Sequence, residues 1–413
     1  MFMKTIPLLS VFLLTAALAA AEDWPQWRGP LRDDISTETG LLQEWPAGGP
    51  PLAWKADGLG AGYSGVSVVK GRIFTMGDLG EFSFLMALDA ANGKLIWSTK
   101  VGKSGGNYPG PRCTPSVDGD NVVALGQFGD LVCVDAAQGK ERWRHNLQDE
   151  FGGKMMTGWG YAESPVVEDG KVICTPGGSQ GTMLALGEKD GQPVWRCTEW
   201  TDKASYASIV PATINGVRQY IQLTEASVGG VAAKDGRLLW RGSRPGKTAV
   251  IPTPIFADNS VYVTSSYNIG CSLFKVETVS TDSGFVARQV YDNKVMNNQH
   301  GGVVKIGDYL YGHSDGKGWT CQNFKTGEAV WQENAKFPKG SLTCAGGLLY
   351  LRAESGPGTV ALIEPTPKGW VEKGRFDQPN RSRQNSWPHP VVSGGFLYLR
   401  DQGVLLCYDV RQK

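Results

Sequence analysis

One motif, Asp-x-x-x-Gly-Lys-x-x-x-Trp, recurs along the chain and constrains its fold more strongly than any other feature. The segments LMALDAANGKLIWSTKVG (85–102) and LVCVDAAQGKERWRHNL (131–147) align with each other almost throughout. Weaker or degraded copies lie at residues 183–200, 229–245, 284–293, 319–334 and 367–376. Regular self-similarity of this kind indicates a row or ring of similar structural units rather than a set of unrelated domains.

A second pattern repeats upstream of each tryptophan: a polar residue and proline, a short β-branched run, a turn, and another apolar run. ESPVVEDGKVICTPGG (163–178) and HPVVSGGFLYLRDQG (389–403) are examples. The turns EDGK and SGGF have the composition of short connections between antiparallel strands. We therefore expect four antiparallel strands per unit, named A to D in chain order, with the tryptophan on strand D. Four strands per unit are typical of a propeller blade.

Strand A starts at eight recognisable places, near Tyr63, Arg112, Glu163, Tyr206, Pro252, His300, Gly340 and His389. The eighth unit ends after its third strand and lacks the strand that carries tryptophan. PPLAWKADG (50–58), near the N-terminus, has the pattern of that missing strand, with Trp54 in the tryptophan position. The sequence thus predicts an all-β, eight-bladed β-propeller, closed by an N-terminal strand that joins the C-terminal blade and covers two sheet edges. A seven-bladed ring is the alternative.

The first 21 residues have the pattern of a secretory signal peptide. Lys4 precedes an apolar run, and the segment ends in the small residues of a cleavage site. We expect cleavage after Ala21, an extension at 22–49 that packs on the propeller through its tryptophans and leucines, and the propeller itself at 50–413. The expected location is the periplasm or the medium, because no later segment stays apolar for the about 18 residues of a membrane span.

Composition argues against a nucleic-acid or membrane-surface partner. Of 41 lysines and arginines, 40 remain without Lys4, against 40 aspartates and glutamates. Proteins that bind nucleic acid or anionic lipid present a basic patch, and the chain has no long basic run. A closed propeller is complete in itself. We therefore expect a monomer whose partner is an unknown small molecule, a glycan or a protein of the cell envelope.

The eight cysteines do not read as an extensive disulfide framework. Cys133, Cys321 and Cys407 share one position on strand C, where other units have alanine or glycine. Such a position needs a small apolar side chain, which cysteine provides. Cysteines at equivalent positions of different blades should also lie beyond disulfide reach, about 7 Å between Cα atoms. Pairing among the other cysteines is left open.

The blade motif LDAxxGKxxW resembles that of the PQQ-like (quinoprotein-type) β-propeller repeats over about residues 50–410. DWPQWRGPLRDDIS (23–36) and LYLRDQGVLLCYDV (397–410) resemble exported PQQ-like repeat proteins of planctomycete-type bacteria. The resemblance implies a WD40/YVTN-like propeller similar to that of the outer-membrane β-barrel assembly machinery. It also implies PQQ with Ca²⁺ for members that are dehydrogenases. The residues themselves indicate no cofactor, since the chain has neither a C-x-x-C-H haem motif nor two adjacent cysteines.

The starts of strand A and the B–C loops lie together on one face of a propeller, which we call the funnel face. Three of the four histidines fall there. The candidate acid–base residues are Glu163, His300 and His389, because a histidine titrates near neutral pH. The candidate ligand-binding residues are Tyr63, Arg112, Tyr161, Tyr206, Asn298, His313, Lys339, Trp387, Arg400 and Asp401.

These side chains offer two separate kinds of contact to a ligand. Arg112 and Lys339 are cations that can hold an anionic group. Trp387 and the tyrosines can stack on a planar or a sugar ring. We predict no metal site, because the histidines come from separate blades and have no local ligand spacing. The alternative for the whole set is a polar, wet channel whose groups bond to one another.

Three functions follow as hypotheses. The main one is a binding or scaffold module that uses the funnel face. The first alternative is a PQQ- and Ca²⁺-dependent alcohol or sugar dehydrogenase, in which Arg112 faces a quinone carboxylate and Glu163, Asn298 or Asp401 serves as metal ligand or base. The second alternative is a carbohydrate-active enzyme without a cofactor. The repeat specifies the fold better than it specifies the activity.

Overall fold

A computed structural model describes residues 23–279 and 284–412. Within these ranges the strands form eight antiparallel sheets of four strands, one of which gains a fifth, parallel strand. No helix among the described residues has the length and apolarity needed to cross a bilayer. The predicted signal peptide, residues 1–21, lies outside the described residues.

Two strands precede the first blade: β1 (Ile35–Ser36) and β2 (Leu52–Ala56). Blade 1 contains β3 (Ser67–Val69), β4 (Arg72–Leu79), β5 (Phe82–Asp89) and β6 (Leu95–Lys103). Blade 2 contains β7 (Ser116–Asp118), β8 (Asn121–Leu125), β9 (Asp130–Asp135) and β10 (Glu141–Asn146). Blade 3 contains β11 (Val166–Glu168), β12 (Lys171–Cys174), β13 (Leu184–Gly187) and β14 (Pro193–Arg196). Blade 4 contains β15 (Val210–Ile214), β16 (Val217–Leu223), β17 (Ser227–Ala232) and β18 (Leu238–Ser243).

The second half of the chain repeats this arrangement. Blade 5 contains β19 (Ile255–Ala257), β20 (Ser260–Ser265), β21 (Gly270–Thr278) and β22 (Phe285–Asn293). Blade 6 contains β23 (Val303–Ile306), β24 (Tyr309–Ser314), β25 (Gly318–Asn323) and β26 (Ala329–Glu333). Blade 7 contains β27 (Gly340–Ala345), β28 (Leu348–Ala353), β29 (Thr359–Glu364) and β30 (Val371–Asp377). Blade 8 contains β31 (Val391–Ser393), β32 (Phe396–Asp401) and β33 (Val404–Asp409).

The eighth blade is completed by the N-terminal strand β2. It pairs antiparallel with β33, with Leu52 opposite Tyr408 and Lys55 opposite Leu406. The sheet therefore has the order β2-β33-β32-β31, so it combines an N-terminal strand with the last three strands of the chain. This confirms the eight-bladed ring and its closure by PPLAWKADG, and it excludes the seven-bladed alternative.

The repeated tryptophan faces the small residue of strand C. The pairs are Trp97 with Ala87, Trp143 with Cys133, Trp195 with Ala185, Trp240 with Gly230, Trp331 with Cys321, and Trp54 with Cys407. A register shift, as in a β-bulge, adjoins each of these pairs. An indole lying flat over the sheet leaves room for only a small partner, which explains why alanine, glycine and cysteine alternate in this position. All eight cysteines are buried and free, in line with that interpretation.

Most of these tryptophans also link their blade to the next one; Trp240 is the exception, since its indole N–H donates to Gln219 of its own blade at 2.6 Å. The indole N–H of Trp143 donates to the main-chain oxygen of Glu188 at 2.8 Å, and that of Trp97 donates to Ala136 at 3.1 Å. In blade 5 a tyrosine, Tyr291, takes this place and donates to Phe324 at 2.9 Å. The acceptors of Trp143, Trp97 and Tyr291 all follow strand C of the next blade. The repeated tryptophan therefore serves packing between blades, as its position once per blade predicts.

The N-terminal residues 24–36, here called the plug, run along the inner strands of the ring. Main-chain bonds join Trp24 to Val68 of blade 1, and Pro25 accepts from Val117 of blade 2. Side chains of the plug reach three more blades: Arg32 bonds to Ser164 of blade 3, Trp27 to Thr253 of blade 5, and Arg28 to Val303 of blade 6. Asp34 bonds to Cys344 of blade 7 and to His389 of blade 8. A segment that touches strand A, or the loop entering it, in seven blades lies in the central channel of the ring.

The plug carries buried charged side chains, each of which has a partner in the plug or in the propeller. Arg28, Arg32 and Asp34 are each at most 2% exposed. Arg28 Nε lies 3.2 Å from Asp34 Oδ2. Arg32 donates to the main-chain oxygens of Ser164 at 2.6 Å and Pro165 at 3.3 Å. Because such groups are costly to bury without partners, these contacts fix the plug in one position in the channel.

Candidate functional site

A cavity of about 180 Å³ lies at the channel, between the plug and the starts of strand A. Trp27 and Arg28 of the plug form part of its wall, and the remaining wall comes from the propeller. Its most conspicuous wall residues are aromatic: Trp27, Tyr63, Tyr108, Trp159, Tyr206, Tyr267 and Trp387. The plug thus converts the propeller channel into a cavity with an aromatic wall.

The aromatic rings form a continuous arc around this cavity. Tyr63 stacks on Trp387 with ring centroids 4.1 Å apart. Tyr108 contacts Trp387 at 5.5 Å on one side and Trp159 at 6.3 Å on the other. Trp159 in turn lies 6.2 Å from Tyr206. Rings held by one another lose little freedom when a ligand binds, so the arc is a preorganised stacking surface.

Arg112 holds two of the loops that carry these rings. Its terminal nitrogens donate to the main-chain oxygens of Tyr108 at 2.9 Å and Trp159 at 3.1 Å. Longer bonds reach Gln127 Oε1 at 3.3 Å and Asn107 O at 3.4 Å. All four acceptors are neutral, and no ion pair to Arg112 occurs among the described residues. Burial lowers the pKa of Arg112, and the nearby charge of Asp78 opposes that shift. An arginine stays charged, so the cavity wall carries a positive charge that no described carboxylate contacts directly.

His300 also lines the cavity, and its ring centroid lies 6.0 Å from that of Trp387. Burial, together with the positive charges of Lys339 and His389, lowers its pKa well below the usual value, so its imidazole is neutral. Its Nε2 is buried and has no hydrogen-bond partner among the described residues. The nearest carboxylate oxygen, Glu354 Oε2, is 4.0 Å from Nε2, and Glu354 instead accepts from Trp387 Nε1 at 2.9 Å. His300 therefore retains hydrogen-bonding capacity at the cavity.

His389 has no such capacity. Its Nδ1 lies 2.9 Å from Asp34 Oδ2, and its Nε2 lies 2.9 Å from the main-chain oxygen of His300. Its ring packs against Trp27 with centroids 4.5 Å apart. Both nitrogens are thus engaged, and His389 fixes the plug to the closing blade.

Six of the residues selected from the sequence line this one cavity: Tyr63, Arg112, Tyr206, His300, Trp387 and His389. The seven others do not line it: Tyr161, Glu163, Asn298, His313, Lys339, Arg400 and Asp401. Strand geometry accounts for part of this division. Ala162 and Ser164 line the cavity, so Glu163 between them points the other way.

Glu163 is enclosed in a separate polar cluster. Its carboxylate accepts from the Thr175 main-chain N–H and hydroxyl, both at 2.8 Å, and from Gln222 Nε2 at 3.2 Å. Burial raises its pKa to about 7, while the bonds from Thr175 and the charge of Arg32 oppose that shift. The structure therefore brings His300 and His389 to one cavity without Glu163.

The remaining selected residues are bonded within the blades. Asp401 accepts from Arg381 at 2.6 Å and from the Ser382 main-chain N–H at 2.7 Å. Arg400 donates to Leu59 O at 2.9 Å. The other bonds are Tyr161 to Pro176 at 2.9 Å, Asn298 to Gly302 at 2.9 Å, Lys339 to Asp315 at 2.9 Å, and His313 near Asp315 at 3.6 Å. Most of these polar groups bond within the protein, in line with the alternative of a self-bonded channel, although Asn298 Oδ1 and His313 Nδ1 have no hydrogen-bond partner among the described residues.

Sequence reasoning missed Trp27, Tyr108 and Trp159 as cavity residues. Tyr108 and Trp159 lie in the loops that run from strand D of one blade to strand A of the next. Trp387 lies in the same kind of loop and was selected because a strand-A start follows it directly. Aromatic residues in any loop from strand D to strand A of the next blade could therefore have been selected from the sequence. Trp27 had no such signal, since nothing in its sequence places the plug in the channel.

The wall does not fit the PQQ and Ca²⁺ that the family resemblance implies. Calcium takes oxygen ligands, and carboxylates are prominent among them. The described cavity wall contains no aspartate or glutamate. Glu163, Asn298 and Asp401 are bonded elsewhere, and no group of three His, Cys, Asp or Glu side chains in the described ranges suits a metal ion. We derive no quinone chemistry from this site.

The fold and cavity define a class: closed eight-bladed propellers with a cavity at the funnel face. Within that class, residues 85–333 match the sequence profile of a PQQ-like repeat family described as outer membrane protein assembly factor BamB. The match spans more than half of the chain. The chain therefore belongs to this family. No curated protein sequence matches it significantly.

Solved structures share the fold at low sequence identity. BamB from Moraxella catarrhalis is 15% identical with a TM-score of 0.56, covering 81% of this chain and 93% of that one. The quinohemoprotein alcohol dehydrogenase ADHIIG from Pseudomonas putida HK5 is 14% identical with a TM-score of 0.64, covering 95% of this chain and 80% of that one. The corresponding enzyme from Comamonas testosteroni is 13% identical, also at 0.64, covering 96% and 82%. Similarity at this level supports a shared fold and leaves the activity to the site itself.

Proposed function

We propose that this protein is an exported binding module that holds a ring-bearing, anionic ligand in the cavity between the plug and the funnel face. The observation that carries the proposal is the combination of an aromatic arc with Arg112, a cation that forms no ion pair with any described carboxylate. Ligand sites are typically apolar concave surfaces with a few well-placed polar groups. This cavity has that composition.

The charge of the wall selects the sign of the ligand. Aromatic walls alone also suit a cation, because the face of an aromatic ring is negative. Arg112 opposes a cation here, and Arg28 on the same wall is already matched by Asp34. The surplus charge is therefore positive. An anionic ligand fits it.

The protonation and hydrogen bonding of the titratable groups at the cavity favour binding over catalysis. General acid–base work requires a group that can donate and accept protons near the working pH. His300 is held neutral by its low pKa, and both nitrogens of His389 are engaged. The wall within the described ranges has no carboxylate that could take over that role. These groups suit recognition of a ligand better than turnover.

The proposed location is the periplasm or the medium, and it rests on the signal-peptide pattern of residues 1–21. In that location the ligand is part of a glycan, a peptide or another envelope component. Strand addition requires a free sheet edge, and the D strands that offer such edges lie at the outside of the ring, away from the cavity. The cavity and its loops are left as the contact surface.

The test is to screen the mature protein, from Glu22 onward, on glycan and peptide arrays. We expect binding that Trp387→Ala abolishes, because that change removes the ring on which Tyr63 and Tyr108 pack. Leu95→Ala is the matched control, since Leu95 is 56% exposed on the outer strand β6 and should not affect binding. Array binding that survives Trp387→Ala would overturn the proposal, and so would a saturable, Ca²⁺-dependent rise in melting temperature with PQQ.

A further inference from the structure

We propose, on the basis of the proposed function, that the cavity binds one sugar-acid residue: a pyranose ring with a single carboxylate, as in glucuronic acid. Arg112 would bind the carboxylate, the aromatic arc would stack on the ring, and His300 would hydrogen-bond to a hydroxyl group. The ring of blades places these three elements on different sides of the cavity.

Arg112 and His300 lie on opposite sides of the cavity. Arg112 precedes strand A of blade 2 (β7), and His300 precedes strand A of blade 6 (β23). Blades 2 and 6 are half a ring apart in an eight-bladed propeller. A ligand that uses both residues must therefore have a charged end and a hydrogen-bonding end that point in opposite directions. The carboxylate and the distal hydroxyl groups of a pyranose ring are arranged in that way.

The charge balance indicates a carboxylate rather than a phosphate. Arg112, which forms no ion pair with a described residue, matches one negative charge. A phosphate monoester is close to a dianion at neutral pH. Two of the bonds of Arg112, to Gln127 at 3.3 Å and Asn107 at 3.4 Å, are long. A carboxylate forms shorter, charge-assisted bonds with a guanidinium and can replace them. The bond to Tyr108 at 2.9 Å can then keep the aromatic loop in place.

The aromatic arc suits the apolar face of a sugar ring. Trp387 and Tyr63 belong to blades 8 and 1, and Trp159 and Tyr206 lie at blades 3 and 4, on the opposite side. Tyr108 contacts both groups and completes the arc. The negative faces of these rings attract the slightly positive C–H groups of a sugar.

His300 distinguishes a sugar acid from an aryl acid. The Nε2 of its neutral imidazole has no hydrogen-bond partner among the described residues, although it is buried. A hydroxyl group can donate to or accept from such a ring. An aryl carboxylate without hydroxyl groups would cover His300 and leave it unpaired, which is unfavourable. The site thus favours a ring that bears both a carboxylate and hydroxyl groups.

The experiment is isothermal titration of the mature protein with methyl β-D-glucuronide, methyl β-D-glucoside and benzoate. We expect the glucuronide to bind about tenfold more tightly than the glucoside, because only the glucuronide forms a charge-assisted bond with Arg112. Arg112→Gln should remove this preference. His300→Phe should weaken both sugars alike and leave the preference intact, because Phe keeps a ring but cannot bond to a hydroxyl group.

A second measurement does not depend on whether Arg112→Gln folds. In the wild-type protein, added salt should weaken the glucuronide and leave the glucoside unchanged, because salt screens the charge of a partly open site. Equal affinity for the two sugars, or equal salt dependence, would overturn the inference. Benzoate binding as tightly as the glucuronide, with loss in Trp387→Ala, would overturn the sugar-acid assignment but keep the binding module. Failure of the arrays and of all three probes would overturn both.

Discussion

The carboxylate of Asp34 lies 2.9 Å from Nδ1 of His389, although 355 positions separate the two residues in the chain. Asp34 belongs to the plug, and His389 leads into the last blade. The same carboxylate oxygen lies 3.2 Å from Arg28 Nε. One buried side chain therefore joins the plug to itself and to the closing blade, so the cavity wall formed by Trp27 depends on it.

Asp34→Asn should destabilise the protein strongly, because it leaves the Arg28 guanidinium buried without a counter-ion. Breaking one partner of a buried ion pair costs about 3–5 kcal/mol. Urea unfolding followed by tryptophan fluorescence measures the loss. The control is Asp57→Asn, which breaks the exposed pair with Lys55 and should cost about 1 kcal/mol or less. Similar losses for the two variants would show that the buried pair is not important for stability.

Gly139→Ala should lower the melting temperature more than Gly71→Ala. Both glycines have a positive φ, +71° at Gly139 and +75° at Gly71, so both changes carry the cost of a left-handed alanine. A Cβ at Gly139 would lie 2.5 Å from the Trp97 ring, whereas one at Gly71 would meet nothing within 4 Å. Thermal unfolding of the two variants isolates the packing of the repeated glycine on the tryptophan of the preceding blade. Equal decreases in melting temperature for the two variants would show that the contact between Gly139 and Trp97 is not tight.

Stability should depend on the protonation of Glu163. Its pKa rises from 4.5 to about 7 on folding, so the folded protein holds this proton more tightly than the unfolded chain does. The stabilisation is complete below pH 4.5 and is lost as the pH rises through about 7. The unfolding free energy of the wild type, relative to Glu163→Gln, should fall by about 3 kcal/mol across that window. Parallel pH profiles of the two proteins would show that Glu163 does not titrate there.

The cysteines should be inert until the protein unfolds. All eight are free and buried. Burial raises the pKa of the Cys113 and Cys133 thiols to about 12, which suppresses the reactive thiolate. A thiol-reactive dye at pH 8 should label none of the native protein and all eight cysteines in denaturant without a reductant. Fewer than eight after denaturation would reveal disulfides.

The blades could be predicted because their signal is local and repeated. Trp97 needs a small partner at Ala87 and a glycine in the next blade, so the same three features recur in most of the units. Ring closure was predictable for the same reason, since Trp54 has the tryptophan position without a blade of its own. Long-range pairing was inferred from what the last unit lacked.

The cavity was only partly predictable. The starts of strand A gave Arg112 and His300, but strand alternation turned Glu163 away from the cavity although Ala162 and Ser164 line it. Without the register, a sequence does not show which of two neighbouring residues faces the channel. The plug lay beyond prediction, because its contacts with seven blades depend on a route that no local pattern encodes.

The clasp between β2 and β33 also decides how the molecule is assembled. Blades can form in turn as the chain emerges, but the last sheet has no outer strand until Leu52 meets Tyr408. The plug cannot form its bond with His389 until that residue has been made. The two ends therefore join late, and the entropy of closing so long a loop grows only slowly with its length. Once β2 is paired with β33, unfolding of the last blade also disturbs the chain that leads from β2 into the first blade.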